Sequence, residues 1–250
     1  MLLNLLSTHH LTINSKRYKN RCMDKFSYFD FIAYIVPGSL LQGILAIILD
    51  NRSFIIITNN AAIDTLIFIV SSFILGVTIS QLGRLTIQPV IKYIFWEGRF
   101  YSEIYLLKPL SLCPEPTYSL ITKFANSRFG FTEDSLALLD PKHANSNLDK
   151  SYSVSHQIFR AFDYYTVDNN VAKKAHVANT LYNLYRSLTA ALLFSGIIIL
   201  LSYWLSPVNS RSDILFGILS VSISVLFLLK TRDEGQLYVQ GVFTTTVNSK

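Results

Sequence analysis

Charge is scarce in this chain. Asp, Glu, Lys and Arg make up 15% of its 250 residues while half are hydrophobic, against about a quarter charged in soluble domains. It is missing altogether from the middle of four apolar runs, Phe29–Leu49, Thr65–Leu82, Leu188–Leu205 and Ile214–Leu229. Intramembrane acids, bases and histidines mark proton relays, ion paths and voltage sensors, so their absence disfavours ion-coupled transport. No inverted repeat of a transporter is visible either. Cysteine is limited to Cys22 and Cys113, which excludes paired-cysteine zinc or redox motifs. There is no phosphate loop and no glycine-rich dinucleotide turn. His143, His156 and His176 lie apart without helical metal spacing and read as surface or partly buried histidines. No cofactor and no metal are therefore expected. No alternating strand pattern persists, which points to an all-α protein.

What is present is a membrane layout. Each run approaches the roughly 20 residues that an α-helix needs to cross a bilayer, the fourth being short enough to stand upright or extend into its flanks. The basic residues then orient the chain. Lys16, Arg17, Lys19, Arg21 and Lys25 precede the first run, twelve bases lie between Arg84 and Arg186, and Lys230, Arg232 and Lys250 follow the fourth. The two short connections hold only Arg52 and Arg211. By the positive-inside rule both termini and the middle segment are cytoplasmic. The middle segment sets its twelve bases against nine acids, too small an excess for a nucleic-acid footprint. Nucleotide or nucleic acid is not an expected partner. The expected divisions are 1–27, a cytoplasmic tail disordered at its start; 28–84, spans one and two; 85–186, a helical cytoplasmic domain; 187–230, spans three and four; and 231–250, a cytoplasmic tail. Residues 1–22 do not read as a signal peptide, because the basic cluster follows the apolar stretch. Translation from Met1 and from Met23 both fit. On the cytoplasmic side both thiols stay reduced.

Inside the runs the polar groups are hydroxyls and two amides, Gln42 and Gln81. Either amide could bond across a helix joint or line a wet pore, and helix packing is the commoner use. Ser72, Gly76 and Ser80 recur every four residues along one face of the second run, and Gly217, Ser220 and Ser224 form a similar stripe on the fourth. Such small-residue stripes let helices approach closely, within one chain or between copies. Pro37 and Gly38 interrupt the first run and predict a kink, either a static bend or a hinge. Trp96, Tyr203 and Trp204 fall near run ends as interfacial anchors.

Between Arg84 and Arg186 the chain has room for a small domain. Its ends read as extensions of the spans: RLTIQPVIKYIFWEGRFYSEIYLL after Gly83, with Pro89 expected to bend or restart the helix, and NNVAKKAHVANTLYNLYRS leading into the third run. Pro114 and Pro116 stop and restart the chain before a short amphipathic helix. Thr132 with Glu133 and Asp134 is a helix start. PKHANSNLDKS reads as a loop, and SVSHQIFRAFDYYTV as a helix placing Ile158, Ala161, Phe162 and Tyr165 inward. Tyrosines 101, 105, 164, 165, 182 and 185 with Arg128, Arg160, Lys173 and Lys174 could clamp a flat anion, but core packing explains them as well.

With FDFIAYIVPGSLL opening the first span, LGVTISQLGR closing the second and YNLYRSLTAALL entering the third, the layout from Met23 onward resembles small four-span bacterial membrane proteins. Some of these belong to phage-defence systems of Kiwa or CRISPR-associated type. The resemblance implies a bacterial inner membrane and a defence role, and carries over no functional residue. The expectation is a non-enzymatic, oligomeric membrane sensor or membrane-perturbing effector in contact with membrane lipid and with a soluble cytosolic protein. The alternative is an enzyme acting on lipid or a lipid-linked substrate at the cytoplasmic face, for which Glu97, Glu103, Asp163 and His176 are the candidate acids and bases.

Overall fold

A computed structural model describes residues 28–48, 60–107, 112–140, 148–169, 171, 173–205 and 211–248. The expected N-terminal tail, Cys22, Arg52, His143 and the start of the PKHANSNLDKS loop lie outside these residues. The described residues contain eight helices and no strand: α1 (Tyr28–Ile48), α2 (Ala61–Phe95), α3 (Tyr101–Ile104), α4 (Glu115–Phe129), α5 (Glu133–Ala137), α6 (Leu148–Asn169), α7 (Lys173–Leu205) and α8 (Arg211–Asn248). Three of them, α2, α7 and α8, are long and apolar enough to cross a membrane, and α1 holds a shorter apolar stretch, Phe31–Ala46. This is a helical membrane protein.

Helix length carries the architecture. α2, α7 and α8 have 35, 33 and 38 residues, roughly 50 Å or more each at 1.5 Å per residue. A hydrocarbon core is about 30 Å thick, so about 20 Å of each helix projects beyond it. The projecting parts are the C-terminal ends of α2 and α8 and the N-terminal end of α7, and they meet the small helices α3 to α6 in one apolar core. α7 and α8 lie antiparallel along most of their length. Gly217 is seated against Leu200 near one end, and Gly241 against Ala175 near the other.

Local chemistry accounts for the ends. Asn60 caps α2 by accepting from the backbone N–H groups of Ala62 at 3.1 Å and Ile63 at 3.5 Å, satisfying donors that a helix start leaves open. The other end turns sharply. Glu97 and Gly98 take φ of 52° and 80°, and the Gly98 N–H donates back to the Lys92 carbonyl at 2.8 Å, a left-handed helix stop. Thr132 caps α5 through Ser135 N. Gly130, at φ 71°, ends α4. Two differences from the sequence reading stand out. α2 runs unbroken through Pro89; the carbonyl that proline leaves without a donor belongs to Leu85, an exposed position where other donors can reach it. Residues 231–248, read as a tail, continue α8 into the core of the domain.

Candidate functional site

Two kinds of joint hold the molecule. On the apolar side α1 crosses α2 at glycine. A Cβ on Gly38 would overlap the Ser72 carbonyl, and one on Gly76 would overlap the Tyr34 carbonyl, so the two backbones touch. Buried Gln42 then accepts from the hydroxyls of Ser72 at 2.9 Å and Ser71 at 3.2 Å. α7 and α8 cross similarly at Gly196 and Gly217, where a Cβ on Gly196 would lie 3.0 Å from the Gly217 carbonyl oxygen. Ser220 donates to the Leu192 carbonyl at 2.8 Å.

Both stripes thus serve joints within the chain. Ser72 and Gly76 face α1, Gly217 and Ser220 face α7, and Ser80 and Ser224 are buried, Ser224 donating within its own helix to Val221. Pro37 is buried beside the Gly38 crossing, inside a helix that continues past it. Gln81 is exposed. Tyr203 is half-buried and Trp204 is 86% exposed. Trp96, read as an interfacial ring, is instead buried at the end of α2. The sharp turn after Phe95 folds Tyr101 back onto it, with ring centroids 5.8 Å apart.

On the polar side the joint is aromatic, and its centre is Phe243 of α8. This fully buried ring stacks on Tyr105 at 5.5 Å and meets Phe162 at 5.1 Å and Phe159 at 5.8 Å edge-on. Polar pins surround it. The Tyr238 hydroxyl donates to Asp163 at 2.7 Å, and Gln240 Nε2 donates to the Tyr101 hydroxyl at 3.1 Å. Gly235 admits two rings at once: a Cβ there would lie 3.2 Å from both Trp96 and Tyr182. One core thereby ties α2, α6, α7 and α8 together.

The candidate acids and bases of the enzymatic alternative do not share a cluster. Glu97 is exposed in the turn, and Glu103 accepts from the Phe100 backbone N–H at 2.9 Å. Asp163 and His176 do approach each other electrostatically. Burial raises the Asp163 pKa above the ordinary carboxylate value, opposed by the Tyr238 hydrogen bond and by His176 and Arg160. His156 stacks between Phe100 and Phe159 and bonds Ser102 Oγ at 3.1 Å. Its pKa is lowered by burial, with Glu103 opposing and Arg160 and Lys92 adding. Among the described residues no group of three or more His, Cys, Asp or Glu could hold a metal ion.

An open groove of about 1070 Å³ runs beside α4, with Phe124, Arg128 and Lys123 from that helix, Tyr165 from α6 and Val247 from α8 on its walls. The Arg128 guanidinium lies 5.8 Å from the Tyr165 ring centre. Of the tyrosines that could clamp an anion, only Tyr165 opens on this groove; Tyr101 and Tyr105 are core. No family model, curated protein or solved structure matches the chain. The residues that sequence reading missed are Tyr238, Val239, Val242, Phe243 and Thr246. Val239, Val242, Phe243 and Thr246 follow the three- and four-residue spacing of a buried helix face.

Proposed function

We propose that this chain is a non-enzymatic membrane sensor or effector of a bacterial inner membrane, in which a cytoplasmic domain reads a soluble partner and moves the helices to which it is fused. Four spans in two pairs, with both termini cytoplasmic, give that arrangement its orientation. The observation that supports it is the shared core: Phe243, Ile91 and Ala175 belong to α8, α2 and α7, yet pack in the same cluster as Ile158 and Phe162 of α6. A partner that repacks α4 or α6 therefore acts directly on three long helices. Packed cores pass on such shifts because they are rigid.

Self-association is part of the reading, through outward apolar residues such as Leu66, Val70 and Ile74 of α2, since the serine stripes are engaged within the chain. A pore lined by those serines is correspondingly disfavoured. The phage-defence setting implied by the layout belongs to the same proposal. The test is expression of the full chain in bacteria, with and without phage challenge, reading membrane potential and phage plating, alongside dye leakage from liposomes. The wild type is expected to alter at least one readout, and Gly235→Leu, which wedges Trp96 from Tyr182, to reach the membrane and stay silent. A wild type that changes none of them defeats the reading. A native mass showing a strict monomer in detergent removes any multi-subunit pore.

A further inference from the structure

Arg186 occupies an unusual place. It lies two residues before the apolar run that begins at Leu188, yet it is only 8% exposed and its Nε has no hydrogen-bond partner. Among the described residues no carboxylate pairs with it. Its side chain has the Tyr182 hydroxyl as a hydrogen-bonding neighbour but no counter-ion, and a guanidinium withdrawn from water without one is unfavourable, so a buried one at a helix junction calls for an anion from elsewhere.

The surroundings fit one. Gly83 of α2 makes room for the arginine stem: a Cβ there would lie 3.5 Å from Arg186 Cγ and 3.2 Å from the Arg186 carbonyl oxygen. The guanidinium reaches one turn toward the N-terminus of α7, 5.4 Å from the Tyr182 ring centre, as helical side chains lean. That is the cytoplasmic direction in the proposed orientation, and so toward the headgroup layer. Beyond Tyr182, across Gly235, stands Trp96, whose buried Nε1 is a second donor without a partner. Exposed Arg84 follows Gly83, and exposed Lys230 lies within a turn of Phe227, which stacks on Tyr185. The nearby acid Asp233 is held by Arg232 at 2.7 Å. Lys230 also faces Glu234 electrostatically, and Arg84 and Lys230 are the exposed bases that adjoin this junction on α2 and α8.

We propose that the junction of α2, α7 and α8 binds the phosphate of an anionic phospholipid of the cytoplasmic leaflet, with Arg186 as its counter-ion and Arg84 and Lys230 selecting net negative headgroups. The shared chemistry is a phosphate oxyanion. A lipid is favoured over free phosphate because exposed Leu82 and Leu85 flank the site on α2 and provide apolar surface for acyl chains. Basic pockets between spans on this side of a bilayer suit such headgroups. Bound lipid would brace the joint between spans and domain. The inference rests on the membrane orientation proposed above.

The test uses the full chain purified in neutral detergent and titrated with phosphatidylglycerol, phosphatidylcholine or inorganic phosphate. Native mass spectrometry counts retained lipid, and thermal melting reads stabilisation. Phosphatidylglycerol is expected to stay bound and raise the melting temperature. Arg186→Gln should bind it about tenfold more weakly, as loss of a charge-assisted hydrogen bond implies, and Arg186→Lys should recover part of the affinity. Should Arg186→Gln fail to fold, the surface pair Arg84→Gln with Lys230→Gln still tests the idea by erasing the preference over phosphatidylcholine. Lys123→Gln, in the α4 groove, should change nothing. Equal lipid retention by wild type and Arg186→Gln overturns the proposal, as does equal stabilisation by millimolar inorganic phosphate. Lipid counts are read on purified protein, so silence in the cellular assay leaves this result standing, and a lipid-free junction leaves the cellular result standing.

Discussion

The two ends of the same long helices are joined by opposite means. Where α1, α2, α7 and α8 are apolar all round, contact is made by glycine against backbone, at Gly38, Gly76, Gly196 and Gly217, with Gln42 and Ser220 supplying hydrogen bonds. Where α2, α7 and α8 project past the bilayer, contact is made by large rings around Phe243. Solvent explains the difference. Lipid tails are as apolar as a leucine side chain, so burying one there gains little, and close van der Waals contact has to do the work. In water, burial of a ring is itself the driving force. The place where one regime gives way to the other, around Gly83, Arg186 and Gly235, is where the proposed signal would cross.

The sharpest break is expected from Phe243→Ala. Removing a fully buried ring typically costs about 3–5 kcal/mol, and here it opens a hole lined by Tyr105, Phe159 and Phe162. The measurement is a denaturant titration in detergent followed by Trp96 fluorescence, in a Trp204→Phe background. The midpoint should fall sharply while the α1–α2 crossing holds. If the crossing loosened equally, the two regions would be one cooperative unit and the comparison would fail.

Gly76→Leu attacks the other side. Overpacking a tight joint costs about 1–3 kcal/mol and sometimes more, and here the new side chain meets the Tyr34 backbone rather than a yielding side chain. Cysteines placed at Phe31 and Phe73, whose rings stack 5.8 Å apart, should cross-link in the wild type and lose that cross-link in the variant, with the Phe243 core undisturbed. An unchanged cross-link would mean that the backbones do not touch.

This asymmetry also explains what could be read from sequence. The three long apolar helices were legible because apolar length is a direct requirement of the bilayer, and α4, α5 and α6 because Pro114, Thr132 and the spacing of Ile158 and Phe162 mark start and face. The small-residue stripes were legible as packing surfaces, but not the choice between joining one chain and joining several, since glycine offers proximity without naming a partner. The C-terminal half of α8 was missed because its apolar positions, Val239, Val242 and Phe243, sit among Gln240, Thr244 and Thr245 and do not extend the apolar run. Trp96 was misplaced because a tryptophan near a span suggests an interface; the turn at Glu97 and Gly98 that buries it is a long-range outcome.

A gentler probe of the aromatic side is pH. Burial raises the Asp163 pKa above its ordinary 3.8, so its protonated form is the one the folded domain prefers. The stability linked to this group is fully present below 3.8 and is lost as pH rises through the raised value. Asp163→Asn keeps a hydrogen-bonding side chain opposite Tyr238 without the charge. Melting temperature plotted against pH from the acid side upward should show a decline in the wild type that the variant lacks. Identical profiles would remove Asp163 as a titrating pin, while leaving the ring cluster as described.

The smallest effect should come from Gln42→Leu. Hydrogen bonds between membrane helices average about 0.6 kcal/mol, because the separated helices also find partners. Gln42 accepts two, from Ser71 and Ser72, and both hydroxyls have an alternative in their own helix, as Ser71 already shows by bonding the Phe68 carbonyl at 3.1 Å. Leucine is nearly the same size and keeps the contact. The α1–α2 cross-link should therefore form at almost the wild-type rate in Gln42→Leu and fail in Gly76→Leu. That contrast isolates what the membrane side depends on. If Gln42→Leu proved as damaging as Gly76→Leu, the joint would be held by its polar bonds, and the division between glycine contact in lipid and ring burial in water would have to be redrawn.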